Sequence, residues 1–211
     1  MPEYFNLSFQ FERKDIYKTF VKDFYTVLEQ AGIKFKSGCW GSEHNTLEEI
    51  CACNQKKLEE NFKLGFTQHY SYSFKQVLFD FETYSHVRGF WINQYPEQQT
   101  FSFEIVIPES EILVKELWEE GKVLFQKEKI ETLIEVAKEI WKFPYIRTIQ
   151  TGLEGFDAST GITALLEGNL PNVTPFSIIQ EKYRSERCQM ENIEVEKIFR
   201  EGILLTSRKD F

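Results

Sequence analysis

The sequence lacks any apolar run long enough to cross a membrane. A membrane helix needs roughly 20 consecutive apolar residues, and no segment of the 211 residues approaches that length. The opening residues, MPEYFNLSFQFERKD, also lack the basic start and the apolar stretch of a secretory signal. These two absences predict a cytoplasmic protein that makes no contact with a membrane.

Basic residues are in deficit. The chain has 25 Lys and Arg residues against 33 Asp and Glu residues, which leaves a formal net charge of −8. Binding to DNA or RNA depends on basic groups that displace the counterions of the phosphates, so a nucleic-acid partner is not expected. An acidic surface instead suits a basic protein partner, because complementary fields speed the encounter.

Cysteine is also scarce, and its spacing fits neither disulfides nor a metal. The four cysteines, Cys39, Cys51, Cys53 and Cys188, are too few and too irregular for a disulfide framework in a chain of this length. Three of them could be combined with His44 as zinc ligands. However, residues two apart on a helix point roughly 200° apart, so Cys51 and Cys53 cannot share a metal on the helix predicted there. Reduced thiols and no metal site are expected.

The glycine motifs that bind phosphates and dinucleotides are missing. The sequence contains no Gly-x-x-x-x-Gly-Lys-Ser/Thr and no Gly-x-Gly-x-x-Gly between a strand and a helix. It also contains no Gly-x-Ser-x-Gly nucleophile elbow. No cofactor is therefore expected.

The closest approach to a catalytic motif is Gly38-Cys39-Trp40. Papain-like proteases place their nucleophile in a similar Gly-x-Cys-Trp setting, with the histidine base well over a hundred residues downstream. The last of the three histidines here is His86, so the sequence offers no base at that distance. The favoured interpretation is a cysteine in a turn beside a packed tryptophan.

Acidic residues leave a carboxylate-based hydrolase open as the alternative function. Glu154 and Asp157 lie in a glycine-rich segment and are the pair best placed to face a cleft. No motif separates this pair from the other acids in predicted strands and turns: Glu82, Glu97 and Glu104. The alternative is thus a small hydrolase that uses a carboxylate pair or Cys39.

The chain is rich in aromatic and aliphatic residues, and their spacing predicts the secondary structure. Hydrophobic residues make up 42% of the chain, which is ample for a core. Phe5, Leu7, Phe9 and Phe11 alternate with polar residues, which predicts a half-buried strand. From Lys14 the apolar spacing changes to three and four residues, which predicts a helix that ends before a glycine.

The same patterns extend the prediction to the rest of the chain. Strands are predicted at 33–35, 77–83, 87–93, 101–107 and 145–151, and helices at 45–62, 112–125 and 129–141. The tail, 193–206, is predicted as a helix followed by a strand. This order favours an α+β fold with a largely antiparallel sheet and helices packed on one face. Residues 1–211 are predicted to form a single domain, whose part after about residue 145 is the least regular.

The chain resembles the immunity proteins of bacterial polymorphic-toxin systems. The resemblance rests on the order of elements over roughly residues 1–150, the acidity, and the predicted hairpin Trp91-Ile92-Asn93-Gln94-Tyr95-Pro96 ahead of 110–125. It implies a small cytosolic protein that binds a cognate toxin domain and blocks its active site. No family motif maps onto individual residues. A structural or regulatory subunit with another protein partner is a third hypothesis.

A partner-binding surface is predicted from residues in turns. Turns lie on the surface and carry function more often than the interiors of helices and strands. Exposed aromatic residues beside acids are typical of interfaces. The candidates are Trp40, Tyr95, Glu97, Glu154 and Asp157. The proposed partner is a protein, the cognate toxin domain, and the oligomeric state of the chain is left open.

Overall fold

In the computed structural model, which describes residues 3–63, 73–82, 84–114, 123–154, 158–184 and 192–209, nine strands form one sheet. Across the sheet they follow the order β2-β3-β4-β5-β1-β6-β7-β9-β8, and each neighbouring pair is antiparallel. The strands are β1 (Tyr4–Glu12), β2 (Lys34–Cys39), β3 (Gln76–Asp80), β4 (Val87–Ile92), β5 (Thr100–Pro108), β6 (Ile146–Leu153), β7 (Phe176–Gln180), β8 (Ile193–Ile198) and β9 (Gly202–Ser207). The predicted α+β class with a largely antiparallel sheet is confirmed.

The opening strand β1 lies in the middle of the sheet. It pairs with β5 on one side and with β6 on the other, so that Phe9 lies opposite Phe103 and Ile149. Its four odd-numbered apolar side chains are all buried, as the alternation predicts. The strand is buried on more than the one predicted side, because Ser8 and Gln10 on the other side of β1 are buried as well.

Three helices cover one face of the sheet. They are α1 (Phe20–Gln30), α2 (Leu47–Glu59) and α3 (Lys127–Ile140). The ring of Phe24 on α1 packs edge-on against Phe9, with 5.8 Å between centroids, and against Phe103, at 5.3 Å. The predicted start of α2 is confirmed by a capping box, in which Thr46 and Glu49 satisfy each other's backbone N–H groups.

Two predicted helices differ in the structure. The first begins at Phe20, because residues 13–15 form a 3₁₀ turn and Ile16 is extended. The core of the predicted helix at 112–125, residues 115–122, lies outside the described residues. In its described flanks an isolated β-bridge joins Leu113 to Phe125, so the helix prediction is wrong there.

The helix predicted in the tail is also wrong. Residues 193–207 form an antiparallel hairpin of β8 and β9, in which Val195 lies opposite Leu205. Ile193 and Val195 alternate with Glu194 and Glu196, and this apolar period of two residues is the spacing of a strand. No helix in the described ranges is long and apolar enough to span a membrane.

A short fourth helix, α4 (Ile162–Leu166), packs on the opposite face of the sheet. It shares a small apolar cluster with residues of β7 and β9, among them Ile179 and Leu205. Two glutamines of the sheet hold the neighbouring segment: the Nε2 atoms of Gln10 and Gln150 donate to the carbonyl of Thr160, at 3.1 and 2.8 Å. The helix α4 thus covers the part of this face that β7 and β9 form. We call the other part, the surface of β4, β5, β1 and β6 that faces away from α1–α3, the open face.

Candidate functional site

Three aromatic rings surround an arginine at the edge of the open face. The guanidinium carbon of Arg88 on β4 lies 5.2 Å from the ring centroid of Trp40 and 5.4 Å from those of Tyr4 and Phe90. No described carboxylate forms an ion pair with Arg88, and its buried Nε atom has no acceptor. We call these four residues the arginine patch. Within the part of the chain that the structure describes, this cation is held by aromatic faces, an arrangement that leaves guanidinium donors for a partner.

Trp40 is displayed by a constrained loop. Its side chain is 51% exposed, so the expectation of a packed tryptophan beside Cys39 is wrong. Its backbone adopts a left-handed conformation with a φ of 53°, which bulky residues rarely do. The hydroxyl of Ser42 fixes the loop: it accepts from the amide of Cys39 and lies 2.6 Å from the carbonyl of Cys39. A Cβ atom on Gly38 would lie 1.9 Å from the carbonyl oxygen of Ser42, so only glycine fits there. Strain of this kind occurs at functional sites.

Beside the patch, the open face contains a cavity of about 580 Å³. Polar side chains of β1 and β5 line it, and Tyr4 and Phe90 of the arginine patch also border it. Glu154 lies where β6 ends, and its amide donates to the carbonyl of Tyr4 at 2.8 Å. A second cavity of about 440 Å³ shares Gln10 with the first and extends to Tyr95. Together the two cavities follow the open face along the strands.

A buried carboxyl group, that of Glu104, lines the larger cavity. Glu104 is 5% exposed and accepts hydrogen bonds from Asn6 Nδ2 (2.9 Å), Ser8 Oγ (2.9 Å) and Ser102 Oγ (2.5 Å). Burial raises the pKa of Glu104 above its ordinary value, and the three hydrogen bonds only partly oppose that effect. No described cation pairs with it. Asn6 Oδ1, also buried, has no donor.

A second acid, Glu109, is buried where β5 ends. It is 4% exposed, and its Oε1 atom has no hydrogen-bond partner. Burial raises the pKa of Glu109 to about 7, and the like charges of Glu3 and Glu154 act in the same direction. This end of the sheet therefore concentrates carboxyl groups next to Tyr4 of the arginine patch.

Two of the predicted binding residues lie at the same end of the open face, and two others lie at its opposite end. Trp40 belongs to the arginine patch, and Glu154 borders the adjoining cavity. Tyr95 and Glu97 lie in the connection between β4 and β5, at the opposite end of the strands, and both are exposed. Asp157 lies outside the described residues.

The alternative catalytic residues are placed less favourably. Cys39 is buried, and burial raises the pKa of its thiol to about 11, so it is protonated at neutral pH. The predicted carboxylate pair of Glu154 and Asp157 stays a prediction, because Asp157 lies outside the described residues. Among the described residues, no group of three His, Cys, Asp or Glu could hold a metal ion.

Sequence reasoning did not select Tyr4, Arg88 or Phe90, and it could not distinguish Glu104 from other acids. A signal for two of them is present in the sequence. Arg88 interrupts an otherwise apolar strand, and Glu104 interrupts the run from Phe101 to Ile107. What the pattern could not give is the strand register, which places both on the same face as Asn6.

Comparison with known proteins adds no relative. No protein-family model, no curated protein and no solved structure matches this chain.

Proposed function

We propose that this chain is a non-enzymatic binding protein that holds a partner protein on its open face, in the manner of an immunity protein that blocks a toxin domain. The observation that carries the proposal is the exposed, constrained Trp40 stacked on Arg88. Trp, Tyr and Arg are the residue types most enriched at interface hot spots, and all three meet in the arginine patch. A constrained loop also reduces the entropy that would be lost on binding.

The charges beside the patch indicate the character of the partner. Glu3, Glu109 and Glu154 lie close enough for their charges to interact, and the chain carries a net charge of −8. A nuclease domain has a basic substrate cleft, which an acidic surface can occupy in place of the phosphates. The partner we propose is a toxin domain with a basic active-site cleft, encoded next to this chain.

The proposal is tested by the kinetics of binding to the product of the adjacent gene. Trp40→Ala should raise the dissociation rate, at a cost of about 2 kcal/mol or more in binding free energy. The matched control is Phe199→Ala, because Phe199 is another exposed aromatic residue, 44% exposed, in the β8–β9 hairpin. It should leave the kinetics unchanged.

Three results would contradict the proposal. Equal effects of Trp40→Ala and Phe199→Ala would remove the arginine patch from the interface. Failure of the adjacent gene product to bind would overturn the immunity function. A hydrolytic activity of the purified chain that Glu154→Gln or Cys39→Ser abolishes would replace the binding protein by the alternative enzyme.

A further inference from the structure

We propose that the larger cavity of the open face binds a guanidinium group, the end of an arginine side chain of the partner, with Glu104 as its counter-ion. The source of that arginine rests on the proposed function. The chemistry of the cavity rests on its own residues and can be tested without the partner.

The cavity presents hydrogen-bond acceptors that lack a matching charge or donor. Among the described residues, the carboxyl group of Glu104 has three neutral donors and no cation, and the neighbouring Asn6 Oδ1 atom has no donor. Ionised carboxylates in proteins are seldom buried unless a cation pairs with them. A guanidinium has five N–H donors in a planar fork, so one group can serve both a carboxylate and an amide oxygen.

The walls of the cavity also suit a guanidinium. Tyr4 and Phe90 border it, and aromatic faces attract planar cations. The described charged groups around the cavity are Glu104, Glu154 at its border and Arg88, which packs against the Tyr4 and Phe90 rings. Arg88 makes no ion pair with either acid. The two carboxyl groups therefore outnumber the single cation.

Binding should depend on pH in a defined direction. A guanidinium pairs with ionised Glu104, whereas burial raises the pKa of this carboxyl and favours its protonated form. Part of the binding free energy is therefore spent on releasing a proton. The affinity should rise with pH through the raised pKa of Glu104 and become constant above it.

The experiment titrates the full chain with n-butylguanidinium and with n-butylurea, its neutral isostere, and follows the amide resonances of residues 6–10 and 102–104 by NMR. We expect the guanidinium to bind at least tenfold more tightly than the urea, with an affinity that increases with pH. Glu104→Gln should reduce the guanidinium affinity at least tenfold. Glu131→Gln, the same change at an exposed position of α3 on the other layer, should leave it unchanged.

Equal binding of the two probes, or guanidinium binding that does not change with pH, would overturn the proposal. Both tests use the unaltered chain, so they decide the matter even if Glu104→Gln does not fold. The two proposals can fail separately. Guanidinium binding without binding of the adjacent gene product would support the cavity assignment and overturn the immunity function. Binding of the adjacent gene product without guanidinium binding would support the immunity function and overturn the cavity assignment.

Discussion

The two faces of the same sheet are built from the same strands, yet they differ in chemistry. On β1, the odd-numbered side chains point into an aromatic core beneath α1–α3. The even-numbered Asn6, Ser8 and Gln10 point to the open face. Three described helices cover the first face, and none of them covers the second. Polar groups that are buried without a helix above them need local hydrogen-bond partners. Glu104 accepts from the side chains around it, and Gln10 and Gln150 donate to the carbonyl of Thr160.

Side chains on the two faces are held in different ways. The core face is buried by packing, and its side chains need only fit one another. On the open face, Asn6, Ser8 and Ser102 donate hydrogen bonds to Glu104, while Asn6 Oδ1 and Arg88 Nε have no partner among the described residues. Unpaired polar atoms cost stability. A partner that supplies a donor for Asn6 Oδ1 and an acceptor for Arg88 Nε would recover that cost.

The difference between the two faces should be largest on β1, where neighbouring residues face opposite sides. Phe9→Ala should lower the free energy of unfolding by about 3–5 kcal/mol, because it removes a ring from the core and leaves a cavity. Ser8→Ala should lower it by only about 1 kcal/mol, since it removes one hydrogen bond to Glu104. Urea denaturation of both variants measures the two values. Equal losses would show that the two faces do not differ as described.

A smaller effect is expected at the loop that displays Trp40. Gly38→Ala should lower the free energy of unfolding by about 1–3 kcal/mol, because its Cβ would overlap the carbonyl of Ser42 and force the loop to shift. The control is Gly161→Ala, where a Cβ would meet nothing within 4 Å and φ is −65°. That change should stay within about 0.5 kcal/mol. If thermal or urea unfolding cannot separate the two variants, the loop is not rigid.

The core face was predictable from the sequence, and the open face was predictable only in part. The alternation of Phe5 to Phe11 specifies a strand and its buried side without knowledge of any neighbour. Trp40 could be placed in a turn by the glycines on either side of it. The surroundings of Glu104 could not be predicted, because its donors come from two strands whose register is a tertiary property.

The errors have similar physical reasons. The flanks of the predicted helix at 112–125 carry apolar residues at helical spacing, but Leu113 pairs with Phe125 across the chain. In the tail, the charged residues among Ile193, Val195 and Ile198 obscured an edge strand that pairs with β9. Tertiary pairing overrides local spacing in both places.

The central claim, that the open face is the partner-binding surface, is tested most directly by hydroxyl-radical footprinting of the chain with and without the adjacent gene product. Three large exposed side chains report on different surfaces: Trp40 in the arginine patch, Leu166 at the end of α4 and Phe199 in the β8–β9 hairpin. The account predicts that the partner slows oxidation of Trp40 several-fold and leaves Phe199 and Leu166 unchanged. Oxidation of Trp40 at an unchanged rate in the saturated complex would contradict it.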